Sequence, residues 1–293
     1  MGGDVVSRDS VNVPGPGHSA ADRSLSIKIN ARAPGGFVVF SHCGDNPIEC
    51  RDYVRQRLGL DPFDPRADNQ SIPQFSVSIA GGEIDQRRRI EFSQKIWQQS
   101  VDPRGTIVEH YLRSERALEL IPGIVGTVVR YHGRLKYGDD QYCAGMVCLM
   151  RSIKTDEPTA IHRTFLDRDG RKIDRRMLGI AKGAAIKIDP QPGIDGRLTI
   201  GEGFETSLAS RLAGLGPAWA LGSAGAMQAF PVVDAISELT FLEENDNTIQ
   251  RASHRAKVAC TKRYLKAGKP VNVVTPRIGL TDFNDVWREA QQQ

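Results

Sequence analysis

The hydrophobic positions of this chain follow two regimes. Beyond Gly196, short apolar runs alternate with stretches of helical period. Leu198–Ile200 reads as a strand, Glu205–Leu215 as a helix closed by Gly216-Pro217, and Trp219–Leu221 as a second strand. A Gly222-Ser223-Ala224-Gly225 turn and a short helix follow, then a strand at Leu239–Leu242, a helix from Thr248 to Ala267 stopped by Gly268, and a strand at Pro270–Val274. Strands and helices in alternation predict a parallel sheet with right-handed crossovers.

Upstream the period is mostly two. Ser24–Ile29 alternates, Pro34-Gly35-Gly36 turns the chain into Phe37–Phe40, and Asp45-Asn46-Pro47 opens a helix that ends at Gly59. Pro62, Pro65 and Pro73 among polar residues mark a linker, and helices are predicted over Glu83–Gln99 and Gly105–Leu118. Met146–Met150 has the composition of a buried strand, and Ala160–Leu166 alternates into an Asp169-Gly170 hairpin turn. The expected division is a disordered tail and small remnant domain over 1–60, a linker over 61–82, an α+β region over 83–190 and an α/β domain over 191–293.

Composition narrows this only a little. The 293 residues leave room for two domains, and 40% apolar with 25% charged residues is ordinary for a globular protein. A net charge of +4 is compatible with a polyanionic partner without requiring one. Five cysteines, an odd number with no paired framework, fit a reducing cytoplasm. Residues 1–20 are polar and carry no apolar signal region, and no run is long enough for a membrane span.

The candidate chemistry is acidic. Glu202 ends a strand between Gly201 and Gly203, and Glu244 and Asp246 alternate just past another strand, so they project to the same side. Asp282 and Asp285 follow the fourth strand and could supply outer or second-metal ligands. Acids at strand ends can simply cap the next helix, which suits Asn247, Asp282 and Glu205. Glu202, Glu244 and Asp246 together would repel one another unless a cation neutralised them. Carboxylates at the carboxyl ends of parallel strands are where open α/β sheets bind ligands, and Mg²⁺ prefers such oxygen donors.

Gly201-Glu202-Gly203-Phe204-Glu205-Thr206, Phe241-Leu242-Glu243-Glu244-Asn245-Asp246 and Asp282-Phe283-Asn284-Asp285 resemble the motifs of the Toprim domain shared by bacterial primases, topoisomerases and some nucleases. The likeness covers about residues 190–290. Tyr111-Leu112-Arg113-Ser114 and the stretch from Ala160 to Lys172 add a resemblance to primase-like Toprim proteins of phages, plasmids and integrative elements. The resemblance implies a Rossmann-like parallel sheet with flanking helices, preceded by a primase-like α+β region and a small degenerate zinc-ribbon-like segment. It implies Mg²⁺ or Mn²⁺ at Glu202, Glu244, Asp246, Asp282 and Asp285, with Glu202, Glu244 and Asp246 catalytic. Two positions depart from the family: Glu244 stands where Asp is usual, and Thr281 where relatives commonly carry Lys.

The implied activity is metal-dependent synthesis of RNA primers from ribonucleotides on single-stranded DNA, in replication of a mobile element, with unwinding left to a separate helicase. A Toprim DNA nuclease and a non-catalytic nucleic-acid-binding module are the alternatives. His162, Arg163, Lys182 and Lys187 are the candidate nucleic-acid contacts, the two lysines because they lie in a basic stretch feeding the acidic site. The Gly222–Gly225 turn could cradle a phosphate but lacks the ending of a P-loop. His18, His42, Cys43 and Cys50 lack the paired short spacings of a structural zinc site, so a metal-free remnant packed by Cys50 and Phe40 is expected instead.

Overall fold

A computed structural model describes residues 3–30, 33–61, 79–190, 196–245 and 252–292. The chain divides into two compact units, Met1–Ile79 and Ala80–Gln293.

The first unit holds a four-stranded antiparallel sheet in the order β1 (Asp4–Ser7), β2 (Ser10–Val13), β3 (Leu25–Ile29), β4 (Phe37–Ser41), followed by helix α1 (Pro47–Arg57). Asn46 caps α1 by accepting the Ile48 N–H at 2.9 Å, with Pro47 at the first helical position. Val13, Leu25 and Phe37 on the inner face of the sheet meet Cys50 and Val54 of the helix. The disordered tail expected over residues 1–20 is corrected, because Val5 pairs with Val11 and Val13 with Leu25. The glycines and prolines that suggested disorder flank the Ser10–Val13 alternation instead of interrupting it. Phe40 is exposed and does not contribute to this core. The linker expected at 61–82 falls mostly outside the described residues.

The second unit begins with α2 (Ile79–Gln99) and α3 (Ile107–His110), which continues as a π-helical turn over Tyr111–Glu115. Where a regular helix was predicted, the chain turns π-helical, and Tyr111 and Leu112 at the start of that turn are both buried.

Strands β5 (Val129–Gly138), β6 (Gln141–Ser152), β7 (Pro158–Leu166), β8 (Lys172–Gly179) and β9 (Ala184–Lys187) come next. They are followed by β10 (Arg197–Gly201), α4 (Phe204–Leu212), β11 (Ala218–Ala220), α5 (Ala224–Gln228), β12 (Glu238–Leu242), α6 (Ala252–Lys266), β13 (Val271–Val274) and α7 (Phe283–Ala290). One nine-stranded sheet runs β13-β12-β10-β11-β9-β6-β7-β8, with β5 also on β6. The strands β10 to β13 are parallel, as the alternation predicted. β9 lies antiparallel to both β11 and β6 and joins the two halves, so the boundary expected at 190 falls inside one compact unit.

β6 explains its own uninterrupted apolar run. Met146, Cys148 and Met150 enter one core with Tyr111, Phe204 and Leu208, while Val147 and Leu149 enter another with Trp97 and Phe165. Both faces of the strand are buried, so neither needs polar residues. A third core, under α5 and α6, centres on Trp219, Phe230 and Tyr264. Among the described residues no helix is long and apolar enough to cross a membrane.

Candidate active site

β10 delivers Glu202 one residue past its end, and Gly203 then begins α4. The glycine at 201 is required by packing: a Cβ there would lie 2.6 Å from the Ser207 hydroxyl. At Gly203 the same atom would meet only ordinary contacts, the nearest at 3.6 Å, so close approach by a ligand is not what this geometry demands. The carboxylate of Glu202 accepts Arg175 Nη2 from β8 at 2.9 Å.

β12 runs parallel beside β10 with Ile200 opposite Phe241, so Glu243 and Glu244 leave the sheet at the same edge as Glu202. They take different sides. The Glu243 carboxylate is buried against α6, accepting from Lys257 at 3.0 Å, Thr275 at 2.8 Å and His254 at 3.3 Å. Burial opposes its charge, but these donors outweigh burial and hold it below the usual glutamate value. Glu244 faces a polar pocket instead.

Asn245 ties this edge to the chain before α7. Its N–H donates to the Thr281 carbonyl at 2.8 Å and its side-chain amide to the Leu280 carbonyl at 2.9 Å. That stitch brings Asp282 to the same pocket as Glu244. Asp282 also caps α7 by accepting the Asp285 N–H at 3.0 Å, while Asp285 accepts the Thr281 N–H at 3.1 Å. Both carboxylates thus hold backbone N–H groups at the start of α7, and Asp285 lies 3.9 Å from Arg288. Asp285 is thus engaged at the start of α7 and is not among the residues that line the pocket. Asp246 lies outside the described residues.

The pocket measures about 210 Å³, and its charged lining is three acids, Glu205, Glu244 and Asp282, and three cations, Arg116, Lys172 and Arg175. Beneath it sits a connection that the sequence did not disclose. Tyr111 donates its hydroxyl to Glu205 Oε1 at 2.6 Å, and Arg116 Nε donates to the same hydroxyl oxygen at 3.0 Å. Burial works against the Glu205 charge, yet the Tyr111 bond, Lys172 and His162 more than compensate and its pKa is lowered. Glu205 thus ties Tyr111, and through it Arg116, to the wall of the pocket.

The candidate nucleic-acid contacts divide by burial. His162 is 3% exposed, on the face of β7 that carries Ala160 and Leu166, and burial pushes its pKa down to about 4. Lys187 is 4% exposed, its ammonium 2.7 Å from Asp156 and 4.6 Å from the Trp219 ring centroid. Both are corrected as surface contacts, because neither reaches solvent. Arg163 lies on the opposite face of β7 with its guanidinium 5.3 Å from the Phe165 ring. Lys182 is exposed and borders a second, mostly apolar cavity. Sequence reasoning missed Tyr111, Arg116, Lys172 and Arg175 as site residues. The basic stretch from Arg171 held the signal for the last two, but not which members face the acids.

In the first unit both nitrogens of His18 are engaged, Nδ1 at 2.6 Å from Asp22 and Nε2 at 3.3 Å from Asp45. His42 Nε2 is 2.8 Å from the Ser26 hydroxyl, and Cys50 is buried. Among the described residues no three His, Cys, Asp or Glu side chains are grouped as ligands for one metal ion.

Residues 197–292 match the Toprim domain family, and residues 87–188 match a family described as a domain of unknown function, DUF7146. The C-terminal part of the chain is thus a Toprim domain, carrying Glu202, Glu244 and Asp282. No curated protein matches the sequence. Among solved structures the chain is similar to the DnaG primase catalytic domain bound to ssDNA, with 14% identity, TM-score 0.48, and coverage of 70% of this chain and 78% of that one. It is similar to the E. coli primase catalytic core at 12% identity and TM-score 0.47, covering 70% and 75%. The Aquifex aeolicus primase, comprising its zinc-binding and RNA polymerase domains, matches at 12% identity and TM-score 0.43, covering 100% of this chain and 79% of that one.

Proposed function

We propose that this Toprim protein is a primase-type nucleotidyltransferase that extends ribonucleotides on single-stranded DNA. The observation that carries the reading is the shared pocket: Glu244 and Asp282 stand across from Arg116, Lys172 and Arg175, with the Arg175–Glu202 pair at its edge. Acids alone would suit a cation and bases alone a phosphate. Both in one pocket suit a cation bound together with a polyphosphate.

The residues present fit Mg²⁺ or Mn²⁺. Their donors are carboxylate oxygens at adjacent strand ends, the hard ligands these ions prefer, and among the described residues lining the pocket none is a soft ligand. Glu202 and Glu244, with Asp246, would hold the ion, and Asp282 would contribute from the outer shell. When bound, the cation neutralises charge on the triphosphate and on the oxygens that react.

The chain's own groups do the positioning. Arg116, Lys172 and Arg175 bind the non-bridging oxygens of the triphosphate, and Tyr111 with Glu205 fixes the direction of Arg116. In the reaction a 3′-hydroxyl oxygen bonds to the α-phosphorus, the bond from that phosphorus to the β-bridging oxygen breaks, and pyrophosphate leaves while the hydroxyl proton passes to water. Unwinding would come from a separate helicase.

The test is synthesis of labelled oligoribonucleotides on single-stranded DNA with Mn²⁺. Product from the wild type and none from Glu202→Gln supports the reading. Absence of product from pure, folded protein contradicts it. One observation favours a second reading, a non-catalytic nucleic-acid-binding module: Arg175 already neutralises Glu202. Retained DNA binding without metal-dependent product would select that reading.

A further inference from the structure

The face of the antiparallel strands turned away from the charged pocket carries arginines that the proposed chemistry does not use. Arg163 of β7 and Arg176 of β8 are direct cross-strand partners on that face. Like charges standing opposite each other destabilise a sheet. Both guanidiniums lie against the Phe165 ring, 5.3 and 5.7 Å from its centroid, and that of Arg176 is 5.0 Å from the Tyr137 ring. α2 packs on the same face through Trp97, and its Arg89 reaches the Gly179 carbonyl at the end of β8, Nη2 to oxygen 3.4 Å.

Among the described residues the one carboxylate bonded to these arginines is Asp174, which accepts Arg176 Nε at 2.9 Å. Arg163 has no carboxylate partner there, and its Nε is buried without a hydrogen-bond partner. Burial first, and Arg176 second, push the Arg163 pKa down. The fold thus gathers cations that it does not neutralise. A guanidinium held against a ring keeps the N–H fork at its edge, which suits a phosphate oxyanion.

The position of β8 gives the cluster a use. β8 ends the strand order of the sheet, with no strand on its outer side among the described residues. Arg175 and Arg176 are consecutive on it and point to opposite faces, Arg175 into the charged pocket and Arg176 away from it. A chain of phosphates crossing this edge meets both. On the reverse face, Arg176 and the Gly179 that Arg89 reaches are separated by three residues of strand, roughly 10 Å.

We propose that the reverse face of β7 and β8 is a track for the backbone of single-stranded DNA, which passes round the β8 edge to the pocket; this rests on the function proposed above. Arg163 and Arg176 share one phosphate and Arg89 holds another. Such contacts fix position and carry no sequence information, as a strand that is to be copied whatever its sequence requires.

The experiment is the binding of a fluorescein-labelled single-stranded DNA to the full chain over a series of salt concentrations, with tripolyphosphate titrated separately in Mg²⁺. Arg89→Gln, Arg163→Gln and Arg176→Gln together are expected to flatten the slope of log K against log salt by about 1.4, two phosphates at about 0.7 each. Tripolyphosphate is expected to bind as before, which also shows that the variant is folded. A control removes the same charge from exposed positions of α6, with Arg255→Gln, Lys262→Gln and Lys266→Gln, and is expected to keep the wild-type slope. A triple variant with the wild-type slope, or a control that flattens it equally, overturns the track and leaves the charged pocket standing. Should the triple variant lose tripolyphosphate as well, Arg89→Gln alone decides: the residue is exposed, a slope flatter by about 0.7 supports the track, and an unchanged slope overturns it. If the wild type binds no single-stranded DNA, the proposed function itself falls and the track with it.

Discussion

Arg175 Nη2 lies 2.9 Å from Glu202 Oε1, joining β8 of the antiparallel strands to the end of the first parallel strand. The glutamate side chain is 14% exposed and the arginine 40%, so the pair is half screened by water. Arg175→Ala is expected to change stability by less than about 1 kcal/mol in urea unfolding, as for other solvent-accessible pairs. Its effect on triphosphate affinity, about tenfold or more, would show that the cation serves ligand and not fold.

Tyr111 and Glu205 test the opposite case. Their 2.6 Å bond is buried, and Tyr111→Phe leaves a charged carboxylate short of a donor. The expected cost is about 1–3 kcal/mol in chemical denaturation, with weaker phosphate binding because Arg116 loses the same partner. Stability equal to the wild type would mean Glu205 is not held there as an ion.

His162 gives the unit a defined acid response. Its pKa falls from an ordinary 6.5 to about 4 because burial disfavours the imidazolium, with Arg175, Lys172 and Arg163 adding to the effect against Glu205. Between pH 6.5 and about 4 the unfolded chain binds a proton that the folded chain refuses, so stability is full above 6.5 and is lost as pH falls through that window. The total is about 3 kcal/mol at about 1.4 per unit. The Glu205 contribution has the other form for a carboxylate of lowered pKa: present above 4.5, it disappears only as pH falls below that value. His162→Gln is expected to flatten the melting temperature between pH 6.5 and 4.5, and an unchanged slope would contradict the assignment.

Much of this was legible in the chain. The strand and helix alternation beyond Gly196 fixes which residues leave at the carboxyl edge, so Glu202 and Glu244 could be placed by position, whereas Asp282, well past β13, reaches the pocket through the Asn245 bonds to Leu280 and Thr281. Their cationic counterparts could not. Plain alternation separates Arg175, toward the acids, from Arg176, bonded to Asp174, but the irregularity between Phe165 and Leu166, where Lys172 pairs, is what lets Lys172 line the same pocket three residues from Arg175. Tyr111 and Glu205 are 94 residues apart, and a π-helical turn that no periodicity announces aims the tyrosine. Lys187 looked like part of a basic track because charge suggests surface, whereas Asp156 and Trp219 hold it inside.

That last point is testable. Lys187→Ala is expected to destabilise the unit by about 1–2 kcal/mol through the lost contact with Trp219, while the salt dependence of DNA binding keeps its slope. A shallower slope by about one ion would return Lys187 to the contact surface.

The proposed function requires Glu202 and Glu244, with Asp282 in the outer shell, to hold a divalent cation beside Arg116, Lys172 and Arg175, the groups that would bind phosphate. Mn²⁺ titration followed by electron paramagnetic resonance, with and without a nucleoside triphosphate, measures this directly. The expected result is saturable Mn²⁺ binding, tightened by nucleotide in the wild type, with the tightening lost in both Glu244→Gln and Arg175→Ala. Mn²⁺ binding that is absent, or that is identical in the wild type and both variants, would contradict it.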